Sequence, residues 1–390
     1  MIELNSEEQI IAKKIATLKE QAGSHSPSIF TFKQKLPELD IKVDACFLSN
    51  PYATDLFIEY FNEEILSTGK IRELLEWYPS QNSVIAEILA DFLRVDTENI
   101  FIGNGAIEII QAIIHNFTQK KILINVPTFS SYYEYVKEGV EIVYNNLLKD
   151  NDYTLDVDQY IAKVKANQPD TIVLINPNNP NGGYLKALDL ERIVSELSFV
   201  QNVIIDESFI HFAYEDEHYK MVSIGHLVKR YPNLIVLKSM SKDFGIAGVR
   251  AGYAIMKKEY VDNLLKTGYL WNSNGLAEYF FRLYIRADFA YNYEKVRVKY
   301  IIETLDFINE LSKIQKIKVY PSRANFVLIE LGDDIKSADF VSLLLIRYGI
   351  YVRTCEDKIG LEGNYIRLAS RSKEENSYIL QSLKEILAQA

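Results

Sequence analysis

The chain is 390 residues long, 48% hydrophobic and 25% charged, a composition that suits two packed globular domains and not a disordered chain. Lys+Arg total 43 against 53 Asp+Glu, a net charge of −10, which sets aside nucleic acid and an anionic membrane surface as main partners. Two cysteines, Cys46 and Cys355, can build neither a disulfide framework nor a CxxC zinc pair, so the expected setting is a reducing cytoplasm.

The first residues, MIELNSEEQIIAKK, are charged and amphipathic rather than a signal peptide, and residues 1–22 predict a helix with Ile10, Ile11, Ile15 and Leu18 near one face. Residues 23–55 hold two prolines within SHSPSIFTFKQKLPELD and little helical period, so they read as an irregular arm, either a surface excursion or a segment laid on a partner subunit. From about 85 to 280, short Ile- and Val-rich runs alternate with helical stretches. The runs are 100–102, 122–126, 141–144, 171–175, 203–205, 234–237 and 252–255. Several are apolar throughout, as in strands buried on both faces, and strand–helix repetition argues for a mostly parallel sheet covered by helices. From about 285 the texture shifts to a charged helix (293–311), short strands at 317–320, 325–329, 351–353 and 365–368, and a final helix at about 373–388. Apolar runs such as 326–329 and 343–346 are far below the roughly 18 residues of a membrane span. The expected class is therefore α/β. A large domain (51–284) has a mostly parallel seven-stranded sheet between helices, a small α+β domain (285–390) follows it, and an N-terminal helix and arm (1–50) precede it.

In parallel sheets ligands sit at the carboxyl ends of the strands, so the chemistry is sought just after each run. After 100–102 comes Gly103-Asn104-Gly105-Ala106-Ile107-Glu108, a Gly-rich turn into a helix, which offers backbone N–H groups to an anion. It is not a dinucleotide fingerprint, because Glu108 stands where a third glycine belongs. After 171–175 comes Asn176-Pro177-Asn178-Asn179-Pro180-Asn181-Gly182-Gly183, longer than a turn requires. After 203–205 comes Asp206, either a helix cap or a partner for a cationic ring nitrogen. After 234–237 comes Ser239-Met240-Ser241-Lys242, with Arg250 beyond a Gly/Ala-rich stretch. A lysine at the end of a buried strand can form a Schiff base. Taken in order, these residues are the set that pyridoxal 5′-phosphate needs: N–H groups, hydroxyls and an arginine for its phosphate, a carboxylate for its ring nitrogen, a donor for its phenolic oxygen and a lysine for its aldehyde.

With these motifs the chain resembles the fold-type-I pyridoxal-phosphate enzymes of aminotransferase class I/II over roughly residues 45–390. The resemblance implies that Lys242 links to the cofactor, Asp206 pairs with the ring nitrogen, and Asn179 donates to the phenolic oxygen. Phe129, in Pro-Thr-Phe, would stack on the ring. The amides of Gly105, Ala106 and Ile107, with Ser239, Ser241 and Arg250, would hold the phosphate. Tyr78, in Trp-Tyr-Pro, would reach the phosphate from the other subunit of a homodimer.

Two subfamilies compete, threonine-phosphate decarboxylase and histidinol-phosphate aminotransferase. Gly-Asn-Gly, Phe209 where the aminotransferases usually carry tyrosine, Trp271-Asn272-Ser273-Asn274, and the C-terminal pattern from Tyr351-Val352-Arg353 to Tyr365-Ile366-Arg367 parallel the decarboxylase. Asn181 in the Asn-Pro loop and the missing His-Gly-Gly in the arm depart from it. The expected activity is decarboxylation of L-serine O-phosphate or L-threonine O-phosphate, and the alternative is an aminotransferase acting on a phosphorylated substrate. Arg353 and Arg367 are the candidates for gripping the substrate's anions, with Asn50 as a further substrate contact. The five histidines show no metal spacing, no metal is expected, and His211 reads as structural.

Overall fold

A computed structural model of the chain describes residues 4–388, which divide into two compact units. One comprises Ser49–Asn179 and Gly183–Tyr300; the other comprises residues up to Leu48, Pro180–Gly182 and Ile301 onward.

The larger unit is built on a seven-stranded sheet. Across it the strands run Ile100–Asn104, Ala251–Ile255, Leu234–Ser239, Asn202–Asp206, Thr171–Ile175, Lys121–Val126 and Glu141–Asn146. Ala251–Ile255 is antiparallel to both neighbours, and every other pairing is parallel. The reason for the unbroken apolar runs is visible in their alternation. Ile172, Leu174, Val203, Ile205 and Val236 join a core under the helices Asn82–Leu93, Val157–Asn167, Ala187–Glu196 and Gly275–Tyr284. Val173, Ile175, Ile204, Ile235 and Leu237 join a second core under Ala106–Phe117 and Lys258–Lys266. Each fully buried isoleucine is worth about 1.5–3 kcal/mol relative to exposure. Glu141–Asn146 has a neighbour on one side only and is correspondingly half-covered. The fold expected from the sequence is thus present, with all seven runs as strands.

The smaller unit holds a four-stranded antiparallel sheet in the order Arg353–Thr354, Tyr365–Ala369, Phe326–Leu331, Ile317–Val319. Phe340, Leu343, Leu344, Ile379 and Leu383 of the helices Ser337–Tyr348 and Lys373–Ala388 pack in its core. The N-terminal helix, Ser6–Gln21, opens with a capping box between Asn5 and Glu8, and Glu8 also receives Arg347 Nε at 2.6 Å. Two expectations are corrected. Residues 23–55 are not irregular throughout: they contain a helix, Ile29–Lys35, capped by the Ser28 side chain, and a short strand, Val43–Asp44, parallel to Ile350–Tyr351. The prolines that suggested an arm frame this helix, Pro27 just before its cap and Pro37 just after its end. The strand expected at 351–353 is two strands in different sheets, interrupted at Val352. Among the described residues no helix is long and apolar enough to cross a membrane.

Candidate active site

The Gly-rich turn delivers what its sequence suggests. Gly105 takes φ 78° and ψ 169°, a region essentially confined to glycine. The helix Ala106–Phe117 then starts with no side-chain cap, so its first N–H groups stand at the positive end of the helix. The Arg250 guanidinium lies directly against this turn. A Cβ on Gly105 would sit 2.5 Å from Arg250 Nη2, and Arg250 Nη1 donates to the Ala247 carbonyl at 3.0 Å. Ser239 pairs with Gly252, which in turn pairs with Gly103, so the serine lies level with the turn. Both Ser239 and Ser241 are buried, and Ser241 N donates to Ser239 Oγ at 3.2 Å. Gly105, Ala106, Ile107, Arg250 and Ser239 therefore converge at one end of the sheet.

Asp206 closes the central strand with 3% of its surface exposed. Burial raises its carboxyl, while hydrogen bonds from Ser208 and Tyr132 and the charge of Lys238 pull it back toward ionisation. Tyr132 Oη donates at 2.9 Å and Ser208 N at 2.8 Å. The Asn-Pro loop and the Pro-Thr-Phe turn are tied together through Asn178. It accepts from Thr128 Oγ1 at 2.9 Å and donates to the Pro127 carbonyl at 2.9 Å. This junction fixes Phe129 and Asn179, the neighbours of the tied residues; Phe129 is half-buried and Asn179 buried.

Lys242 sits on the turn that follows Leu234–Ser239. Its carbonyl accepts from Asn50 N at 3.0 Å and Gly245 N at 3.2 Å. Gly245, at φ 64°, presses so closely on Asn50 and Thr54 that a Cβ there would sit 2.4 Å from the Asn50 carbonyl. Asn50 Oδ1 caps the helix Pro51–Phe61, and its amide Nδ2 is buried without a partner among the described residues. Lys238, four residues before Lys242, is locked in a buried ion pair with Asp243. Its ammonium is thereby committed to that carboxylate. His211 is buried, lies 3.1 Å from Tyr293 Oη through Nδ1, and packs on Phe244.

Pyridoxal 5′-phosphate fits this donor set. An uncapped helix start faced by an arginine suits its phosphate, a buried carboxylate suits its ring nitrogen, and a lysine stands beside an unpartnered buried amide. Tyr78 is not brought to these residues within the chain. It is 87% exposed, with its ring 5.9 Å from that of Trp271. Arg353 and Arg367 belong to the smaller unit, where they are direct partners on adjacent antiparallel strands. Arg353 Nη2 donates to Asp357 Oδ2 at 2.7 Å and to the Ser24 carbonyl at 2.8 Å, and Arg367 Nη2 donates to the Cys46 carbonyl at 2.7 Å. Three features were not read from the sequence: the Tyr132 hydroxyl on Asp206, the Lys238–Asp243 pair, and the cross-strand pairing of the two arginines. Tyr132 alone left a trace, three residues after Phe129 in a tyrosine-rich helical turn.

The chain belongs to the family described as aminotransferase class I and II, whose profile it matches over residues 47–383. These are pyridoxal-phosphate enzymes of the fold described above. The chain is 57% identical over 386 residues to an L-serine phosphate decarboxylase of Campylobacter jejuni, covering 99% of both chains. It is 49% identical over 384 residues to an L-serine phosphate decarboxylase of Sulfurospirillum multivorans, covering 98% of each. A solved decarboxylase structure from Sulfurospirillum multivorans superposes with a TM-score of 0.94 at 49% identity, covering 99% of this chain and 98% of that one.

Proposed function

We propose that this enzyme decarboxylates L-serine O-phosphate to the corresponding amino-alcohol phosphate. The likeness to two L-serine phosphate decarboxylases over essentially the whole chain carries this reading. Phe209 is in keeping with it, a buried ring with no hydroxyl to offer a phenolic oxygen.

Bound pyridoxal phosphate supplies an electron sink for the bond broken at the substrate Cα. The chain's residues do the rest. Lys242 anchors the cofactor between turnovers, and its Nζ then delivers a proton to Cα in place of the departing CO2. Asp206, ionised, holds a proton on the ring nitrogen, and Tyr132 keeps it oriented. Phe129 stacks on the ring and Asn179 donates to the phenolic oxygen. The amides of Gly105, Ala106 and Ile107, the hydroxyls of Ser239 and Ser241, and Arg250 retain the phosphate. Asn50 offers its unpartnered amide to the substrate. Arg353 and Arg367 grip the substrate anions and so select which bond at Cα is aligned for cleavage. The enzyme works as a homodimer in which Tyr78 completes the phosphate site of the partner; full activity in a species that sediments as a monomer would contradict this.

The test uses purified, cofactor-loaded protein with L-serine O-phosphate and L-threonine O-phosphate in separate reactions, without and with 2-oxoglutarate, products read by mass spectrometry. CO2 release from the serine ester without the keto acid is expected. Turnover only with the keto acid would make the enzyme an aminotransferase. The two esters differ by one methyl, and discrimination of that size is worth about 1–3 kcal/mol.

A further inference from the structure

We propose that Lys19 and Lys358 join Arg353 and Arg367 in one polycationic subsite that takes a phosphate-monoester dianion. The inference rests on the reading that the two arginines hold substrate anions, and it adds two lysines that the motif comparison did not supply.

Arg353 and Arg367 are registered directly opposite each other, and in antiparallel strands such residues project from the same face. Like charges so placed repel, and a fold tolerates them where an anion or carboxylate intervenes. The carboxylate at hand is already oversubscribed. Asp357 Oδ2 receives Arg353 Nη2 at 2.7 Å and Lys358 Nζ at 3.1 Å. Lys358 is only 7% exposed along its side chain, an unusual place for an ammonium whose single counter-charge is shared. Lys19, near the end of the helix Ser6–Gln21, is half-buried and makes no ion pair among the described residues. Arg353 also binds the carbonyl of Ser24, just beyond that helix.

The electrostatics agree with the geometry. Burial lowers the proton affinity of Lys19, of Lys358 and of Arg367, and the charge of Arg353 adds to the effect on each. Glu356 and Asp357 offset part of this for Lys19, and Asp357 does so for Lys358 and Arg367. Glu356 is engaged by Ser337 Oγ at 2.6 Å, and Asp44 accepts the amides of Cys46 and Phe47. The thiols of Cys46 and Cys355 are pushed upward by burial and so stay neutral. Two carboxylates, Asp357 and Glu356, thus face four cations, Lys19, Lys358, Arg353 and Arg367. A phosphate monoester carries two negative charges and three terminal oxygens, enough to engage two ammonium groups together with an arginine fork.

The test compares wild type, Lys19→Met, Lys358→Met and Lys358→Arg as cofactor-loaded proteins. Inorganic phosphate binding is read by calorimetry, and KM and kcat are measured with L-serine O-phosphate. Each Met variant should bind phosphate on the order of tenfold more weakly and show a KM raised by about the same factor, with kcat within about twofold of wild type, and Lys358→Arg should recover most of the loss. Unchanged phosphate affinity in either Met variant, with circular dichroism as wild type, overturns the proposal. If wild type fails to turn over L-serine O-phosphate, the functional reading falls, and the phosphate titration still decides the subsite.

Discussion

Lys238 and Asp243 close an ion pair across the turn that carries Lys242, with side chains 2% and 0% exposed. Around the pair stand Glu207, His211 and Arg297 and the hydroxyls of Tyr253, Tyr284 and Tyr293, and Tyr293 Oη also reaches the Asp243 carbonyl at 3.4 Å. The turn is therefore held from both of its flanks, and by the Asn50 amide on the Lys242 carbonyl.

Removing one partner of such a pair strands a buried charge. Lys238→Met should destabilise the fold by about 3–5 kcal/mol, whereas Lys238→Met combined with Asp243→Leu should recover most of that loss. Urea denaturation of the two variants measures the difference. Equal losses in both would mean that the cost is packing and not charge.

Asp243 also gives a pH dependence of known sign. Its enclosure outweighs the Lys238 charge and pushes its carboxyl from 3.8 up to about 6. Between those values the folded chain holds a proton that the unfolded chain has lost. Stability from this group is therefore present at low pH and declines as pH rises through about 4 to 6, by up to about 3 kcal/mol. The difference in unfolding free energy between wild type and Asp243→Asn, followed from pH 4 to 7, should show that slope, and a flat difference would refute it.

Gly105→Ala tests the phosphate turn. The substitution meets a backbone conformation that costs about 1–3 kcal/mol for a residue with a side chain, and it drives a methyl into the Arg250 guanidinium. The expected result is a folded protein that binds pyridoxal phosphate at least about tenfold more weakly, measured by equilibrium dialysis.

Asp206→Asn should lower kcat by about a hundredfold or more, because the amide cannot hold a proton on the ring nitrogen. Tyr132→Phe removes one hydrogen bond to that carboxylate, worth about 1.5–3 kcal/mol. Its absence raises the proton affinity of Asp206, so the activity deficit of Tyr132→Phe should be largest at low pH and shrink as pH rises. A deficit independent of pH would separate Tyr132 from the ionisation of Asp206.

The sheet was legible because both of its faces are buried, which makes each strand an apolar run that no helix periodicity explains. The candidate cofactor set was legible because its members follow strand ends in a fixed order. Lys238 was not, since a lysine after 234–237 reads as the first residue outside the strand, although Leu234–Ser239 includes it. The neutralising Asp243 lies past the turn, a proximity that only the folded loop creates. The helix Ile29–Lys35 was hidden by its length and by its flanking prolines. The fourteen-residue spacing of Arg353 and Arg367 likewise says nothing of register, which is set by strand pairing.

The single reversed strand of the large sheet has a chemical consequence. Ala251–Ile255 runs against its neighbours, so its beginning, not its end, lies at the edge where the other strands finish. Arg250 precedes that beginning and so arrives beside Gly105 without any connecting excursion. Were the same five residues laid parallel, the guanidinium would start about 16 Å away, at the opposite rim. One inversion of direction converts an entry point of the sheet into part of the proposed anion cradle.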